Sequence, residues 1–134
     1  MAESLLLEGE QKEEKIYQPK MTKLESLKKS EHFKLVLKGK KTHTNLYSIF
    51  ATKNFLKPKK NRLFISFITK KKIGNAVKRN RIRRKLKAIT GKILKIRGAI
   101  NTNYTYIIIC KTKSYTENYD KIFLEMLKSF KKLN

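Results

Sequence analysis

The chain has 134 residues, enough for one domain with a substantial core, since a chain of this size buries about two-thirds of its unfolded surface. Its 34 Lys and Arg against 10 Asp and Glu give a net charge of +24, a self-repulsion that calls for a polyanionic partner. The lone Cys110 excludes an intramolecular disulfide, and no apolar run approaches the roughly 20 residues of a membrane helix.

The charge is unevenly spread. Residues 1–20 contain Glu3, Glu8, Glu10, Glu13 and Glu14 against Lys12, Lys15 and Lys20, so they are mildly acidic and are expected to form a flexible extension. Residues 21–134 then carry the whole positive excess and are expected to form a single domain that binds a polyanion, RNA above all. Leu5-Leu6-Leu7 is flanked by acids, unlike a signal peptide, and Cys110 ends the apolar run from Tyr106, so a cytoplasmic protein with a buried, reduced thiol is expected. Nucleic acid is the partner this composition favours over an anionic membrane surface or charge that serves only solubility.

Along the chain, Ser30 has the chemistry of an N-cap for a short helix from Glu31 to Lys38, with Phe33, Val36 and Leu37 on one face and Gly39 as the stop. A further short strand fits Lys41–His43. Strands are expected at Leu46–Thr52 and Leu63–Ile68, with Lys57-Pro58-Lys59-Lys60-Asn61 as the turn between them. The first alternates a Tyr47/Ile49/Ala51 face with a Leu46/Ser48/Phe50 face; the second is apolar on both faces, as in a covered strand. Gly74 allows an unusual backbone turn before a helix starting near Asn75. In it Ile82, Leu86, Ile89, Ile93 and Ile96 form a core stripe, and Asn80, Arg83, Arg84 and Lys87 project on the opposite side. Tyr104–Cys110 reads as a strand. Ser114-Tyr115-Thr116-Glu117 has capping-box spacing ahead of a last helix whose apolar face is Tyr119, Ile122, Phe123, Met126, Leu127 and Phe130. This order predicts an α+β fold, an α-β sandwich in which helices cover a sheet.

Lysine outnumbers arginine 28 to 6, yet Arg79, Arg81, Arg83 and Arg84 fall within six residues. A chain that otherwise uses lysine needs arginine where a planar fork must hold phosphate bidentately, which an ammonium cannot do. Lys70, Lys71 and Lys72 precede the helix start, where backbone amides and the dipole also favour anions. A merely solvated helix face would carry acids at i±4, and none lies between Arg62 and Arg97.

The run Lys71-Lys72-Ile73-Gly74-Asn75-Ala76-Val77-Lys78-Arg79-Asn80-Arg81-Ile82-Arg83-Arg84 resembles the signature of the bacterial ribonuclease P protein subunit, with Arg-Asn-Arg at its centre. The likeness extends from about Lys23 to Lys132, taking in Leu27–Phe33, the segment ending near Phe50, and Tyr104–Cys110 with the last helix. It implies a central, mostly antiparallel sheet packed on helices, with a left-handed βαβ crossover, an arrangement also found in a small-subunit ribosomal protein domain. It further implies that a catalytic RNA, using magnesium bound by that RNA and none held by the protein alone, removes the 5′ leader of precursor tRNA. The protein would bind the RNA and the leader as a monomer, one per RNA, with no membrane involved. On this resemblance Lys71, Lys72, Asn75, Lys78, Arg79, Asn80, Arg81, Arg83 and Arg84, with the adjoining Lys70 and Lys87, face the catalytic RNA. Phe33 and Phe50 line the leader cleft, and Leu37 stands where the family usually has an aromatic ring. Aromatic platforms beside cations are how single-stranded RNA is commonly held.

No catalytic set is expected in the protein itself. Outside residues 1–20 the acids are Glu25, Glu31, Glu117, Asp120 and Glu125, too few and too scattered to bind magnesium, and nothing in the sequence orients His32 or His43 as a base. The rival reading is a structural ribosomal or RNA-chaperone protein, which would bind ribosomal RNA and leave precursor tRNA processing unchanged.

Overall fold

The structure is a computed structural model that describes residues 23–56 and 62–133. Residues 1–20 and the Lys57–Asn61 turn therefore lie outside the described residues. The elements are β1 (Lys23–Glu25), α1 (Ser30–Leu37), β2 (Lys40–His43), β3 (Tyr47–Lys53), β4 (Arg62–Ile68), α2 (Ala76–Leu94), β5 (Tyr104–Cys110) and α3 (Tyr119–Leu133), with single 3-10 turns at Lys71–Ile73 and Thr112–Tyr115.

The five strands form one sheet in the order β1-β4-β5-β3-β2. β2–β3 and β3–β5 pair antiparallel, the latter over seven positions from Tyr47↔Cys110 to Lys53↔Tyr104. β4 runs parallel to β5 and to the short β1. Two parallel neighbours cannot be joined by a hairpin, so the chain crosses between β4 and β5 through α2.

Strand alternation gives the sheet two faces. One carries Tyr47, Ile49, Ala51, Leu63, Ile65, Tyr106 and Ile108, covered by Ile82, Leu86, Ile89 and Ile93 of α2 and Ile122, Met126 and Phe130 of α3. Each large side chain buried there contributes about 1.5–3 kcal/mol relative to exposure. Tyr47 keeps its hydroxyl satisfied on Ser129 Oγ at 2.8 Å, and Tyr106 OH donates to Asn101 O at 3.3 Å. The opposite face has a smaller core of Leu27, Val36, Phe64 and Ile107, against which Phe33, Phe50, Ile68 and Ile109 pack half-buried. Among the described helices it is the eight-residue α1 that covers it.

Several helix ends differ from expectation. Ser30 is the first residue of α1 rather than its cap; Lys29 precedes the helix and offers no side-chain cap bond. Gly39 does not end α1 through a left-handed conformation. It is required because a Cβ there would sit 2.1 Å from Ala51 O, so the end of α1 abuts β3 backbone to backbone. α2 continues through Gly91 and stops at Leu94, leaving Ile96 exposed beyond the core stripe. The Ser114–Glu117 box does not cap α3. Ser114 Oγ donates to Lys111 O within the 3-10 turn, and Asn118 Oδ1 accepts from Asp120 N and Lys121 N instead. Asn is at least as good a cap as Ser and stands one residue before the helix, which decides the competition. β1 was not foreseen, because three residues on a sheet edge leave no periodicity to read.

Candidate nucleic-acid interface

The basic segment is organised by the start of α2. Lys70 leads into the Lys71–Ile73 turn, whose buried Ile73 pins it to the core while Lys70, Lys71 and Lys72 stay exposed. Gly74 follows at φ 158°, a conformation essentially restricted to glycine, and an added Cβ would meet the Lys78 stem at 2.8 Å. Asn75 then caps α2, its Oδ1 accepting from Lys78 N at 2.9 Å. The lysine run therefore lies beside a properly formed helix N-terminus, as the sequence implied.

Helical spacing sorts the remaining residues. Asn80, Arg83, Arg84 and Lys87, at steps of three, one and three, form a strip along one flank of α2 and line a cleft of about 390 Å³ together with Ser26 and Phe67. Arg83 is fixed at both ends of its fork, donating to Thr69 Oγ1 at 2.7 Å and to Asn80 Oδ1. Arg81 points elsewhere and is exposed. Arg79 is half-buried, with its Nε shielded from solvent and lacking an acceptor, so part of its role is packing. On the other flank Lys78 lies over the Tyr115 ring at 5.0 Å, and Lys85 reaches Ser114 O at 3.0 Å and Glu117 O at 2.6 Å, bracing α2 to the turn before α3.

No ion pair among the described residues involves Arg79, Arg81, Arg83 or Arg84; the two present are Arg62–Glu25 and Lys121–Glu117. Within the described residues the guanidinium groups are thus not spent on carboxylates. Nor do three or more His, Cys, Asp or Glu side chains converge anywhere among the described residues. Burial pushes the Cys110 thiol up to about 12, so it is inert at neutral pH.

The leader-cleft candidates sit on the α1 side of the sheet. Phe33 and Phe50 meet in the smaller apolar cluster, each half-buried, whereas Leu37 is exposed at the end of α1, outside that cluster. Sequence reading missed the flanking aromatic pairs: His32 contacts Phe55 with ring centroids 5.2 Å apart, and His43 meets Phe50 edge-on at 5.8 Å. His43 ends β2, as the expected short strand implied, and its Nδ1 lies 2.7 Å from Ser48 Oγ. Thr69, Phe67 and Ser26 were also missed; only their proximity in the fold connects them to the arginines.

The family model for ribonuclease P matches residues 21–134. The chain belongs to the ribonuclease P protein family. The ribonuclease P protein component of Helicobacter pylori (strain P12) is 33% identical over 128 residues, covering 80% of this chain and 77% of that protein. That of Bacillus mycoides (strain KBAB4) is 28% identical, covering 84% and 93%. Among solved structures, the RNase P protein from Thermotoga maritima superposes with a TM-score of 0.66 at 19% identity, covering 82% of this chain and 98% of that one, a likeness of fold. The Staphylococcus aureus RNase P protein gives a TM-score of 0.53 at 25% identity, covering 81% and 90%. The chain is accordingly the protein subunit of an endoribonuclease complex that acts in tRNA 5′ processing, in association with an RNA subunit and precursor tRNA. No helix among the described residues is long and apolar enough to cross a membrane.

Proposed function

We propose that the subunit divides its work between two surfaces while the RNA carries the chemistry. Lys70, Lys71, Lys72, Asn75, Lys78, Arg79, Asn80, Arg81, Arg83, Arg84 and Lys87 dock the catalytic RNA. Phe33, Leu37 and Phe50 receive the 5′ leader of precursor tRNA. The single observation that carries this reading is the arginine-rich flank of α2, paired with no carboxylate among the described residues and fixed in place by a capped helix start and the Arg83–Thr69 bond. Phosphate is the ligand such forks match, and the half-buried Phe33 and Phe50 rings on the other face of the sheet offer a single strand stacking partners.

Hydrolysis needs a nucleophile and charge stabilisation, and a metal-dependent nuclease supplies both through clustered carboxylates. The few acids of the described domain are dispersed over β1, α1 and α3 and the turn before it, so magnesium belongs to the RNA subunit in this reading. One protein acts with one RNA in the cytoplasm. Leader release is measured at low magnesium with the protein alone, a bacterial catalytic RNA alone, and both together. Cleavage only when the RNA is present, accelerated by the protein, is expected. Cleavage by the protein alone, or no acceleration, overturns the division of labour.

A further inference from the structure

The cleft beside α2 is more specific than phosphate docking requires. β1 pairs with β4 only as far as Glu25↔Phe64, and the chain then turns away at Ser26, anchored by Leu27 N donating to Ser66 Oγ at 2.9 Å. From Ile65 onward no strand of the described residues pairs with β4 on that edge, and the half-buried Phe67 ring forms one wall of the cleft on the α2 side. Facing it are Asn80, Arg83, Arg84 and Lys87. Arg83 is held by Thr69 and Asn80, whereas Arg84 and Lys87 make no hydrogen bond or ion pair among the described residues. No carboxylate of the described residues lines the space.

An aromatic wall, a side-chain amide and three cations converge on one cleft of about 390 Å³, a volume within the range of small-ligand sites. Phosphate alone leaves the ring unexplained, and a duplex is too wide to enter. The chemistry that uses all of these groups is a flat heterocycle joined to a phosphate. RNA-binding proteins commonly take such units as unstacked bases from loops and bulges, placing them on rings and guanidinium planes. Because Asn80 Oδ1 already accepts from Arg83, its NH2 is left to donate to an acceptor on a base edge.

We propose that this cleft captures one unpaired nucleotide extruded from the catalytic RNA, its base against Phe67 and the Asn80 amide and its phosphate on Arg84 and Lys87. The proposal rests on the docking role of α2 and adds to it a single-nucleotide pocket. The cleft adjoins the β1–β4 edge, whereas Phe33 and Phe50 lie on the sheet face that α1 covers, so it is separate from the leader surface.

The test uses the full chain with adenosine 5′-monophosphate and inorganic phosphate as probes, followed by NMR, and the same chain assembled with catalytic RNA. The monophosphate is expected to shift the Asn80 side-chain amide and the Phe67 and Thr69 backbone signals, binding at least several-fold tighter than phosphate. Phe67→Leu keeps apolar volume but removes the ring; it should erase that preference while leaving phosphate binding intact, and Phe67→Tyr should restore it. In the ribonucleoprotein Phe67→Leu should weaken assembly about fivefold to a hundredfold, the range for removal of one base–aromatic stack, and render one protected unpaired nucleotide reactive to base-edge probes. Equal binding of monophosphate and phosphate to the unsubstituted chain, or no effect of Phe67→Leu on titration and probing, overturns the pocket. If Arg79→Ala/Arg81→Ala still weakens assembly in that case, the docking role survives; if it does not, both readings fall.

Discussion

The two surfaces assigned to RNA are built on opposite physical terms. The cationic surface of α2 is made largely of side chains the fold does not need: Arg84 and Lys87 on the flank and Arg81 beside it are exposed, and the helix is held from behind by Ile82, Leu86, Ile89 and Ile93. The α1 side of the sheet consists of side chains the fold does need, since Phe33 and Phe50 are shared between a small core and the solvent border. A long-range, salt-dependent grip can be placed on a finished scaffold. A stacking surface must be cut from the scaffold's own apolar material, and here Phe33 and Phe50 are only partly buried under the short α1.

This contrast sets which substitutions separate binding from folding. The largest effect is expected from Arg79→Ala combined with Arg81→Ala, which should weaken assembly with catalytic RNA about tenfold to a hundredfold for each charge-assisted hydrogen bond removed. The log–log salt slope should flatten by roughly 0.7–0.9 per phosphate released. Arg81→Ala alone is the cleaner probe because Arg79 is half-buried, and an unchanged slope for it would remove phosphate contact there. Phe50→Leu should lower affinity for precursor tRNA by about 1–3 kcal/mol while sparing both RNA assembly and leaderless tRNA. Equal losses in all three measurements would return Phe50 to the core.

Gly39→Ala sharpens the contrast from the other side. Its Cβ would collide with Ala51 O, so α1 must shift on the sheet at a cost of about 1–3 kcal/mol, measured by chemical denaturation. Leader discrimination should fall while the salt slope of assembly is unchanged. A separate, pH-dependent effect concerns the core that both surfaces share. Burial raises Tyr47 and Tyr106 from 10.0, and Cys110 from 9.0, to about 12 in each case. Raised acid groups favour the native state below their unfolded values, so stability should be intact to about pH 9 and decline as pH rises toward 12. A flat stability profile across that window would contradict the buried placement of these groups.

Much of this contrast was legible in the sequence, and unequally so. The α2 flank was readable because it rests on local spacing: an arginine cluster, a Gly74-Asn75 start, and a stripe at helical period all lie close together along the chain. Ile96 escaped only because the helix ends at Leu94. The other face was half legible. Phe33 and Phe50 could be singled out through a family resemblance, but their joint packing with Phe64 and Ile107 depends on strand order, which no local pattern encodes. The same holds for Phe67 and Ser26, brought to the arginine strip by a three-residue edge strand. Where two caps competed before α3, the more distant motif was the more visible and the adjacent Asn118 prevailed.

The most direct measurement of this division is site-directed strand scission in the assembled holoenzyme, with iron–EDTA tethered in turn to Leu37→Cys and Lys87→Cys. The buried Cys110 should stay unlabelled under native conditions. The tether at residue 87 should cut the catalytic RNA and the tether at residue 37 the leader of precursor tRNA. Cuts in the same strand from both positions, or leader cuts from residue 87, would contradict two separate RNA surfaces.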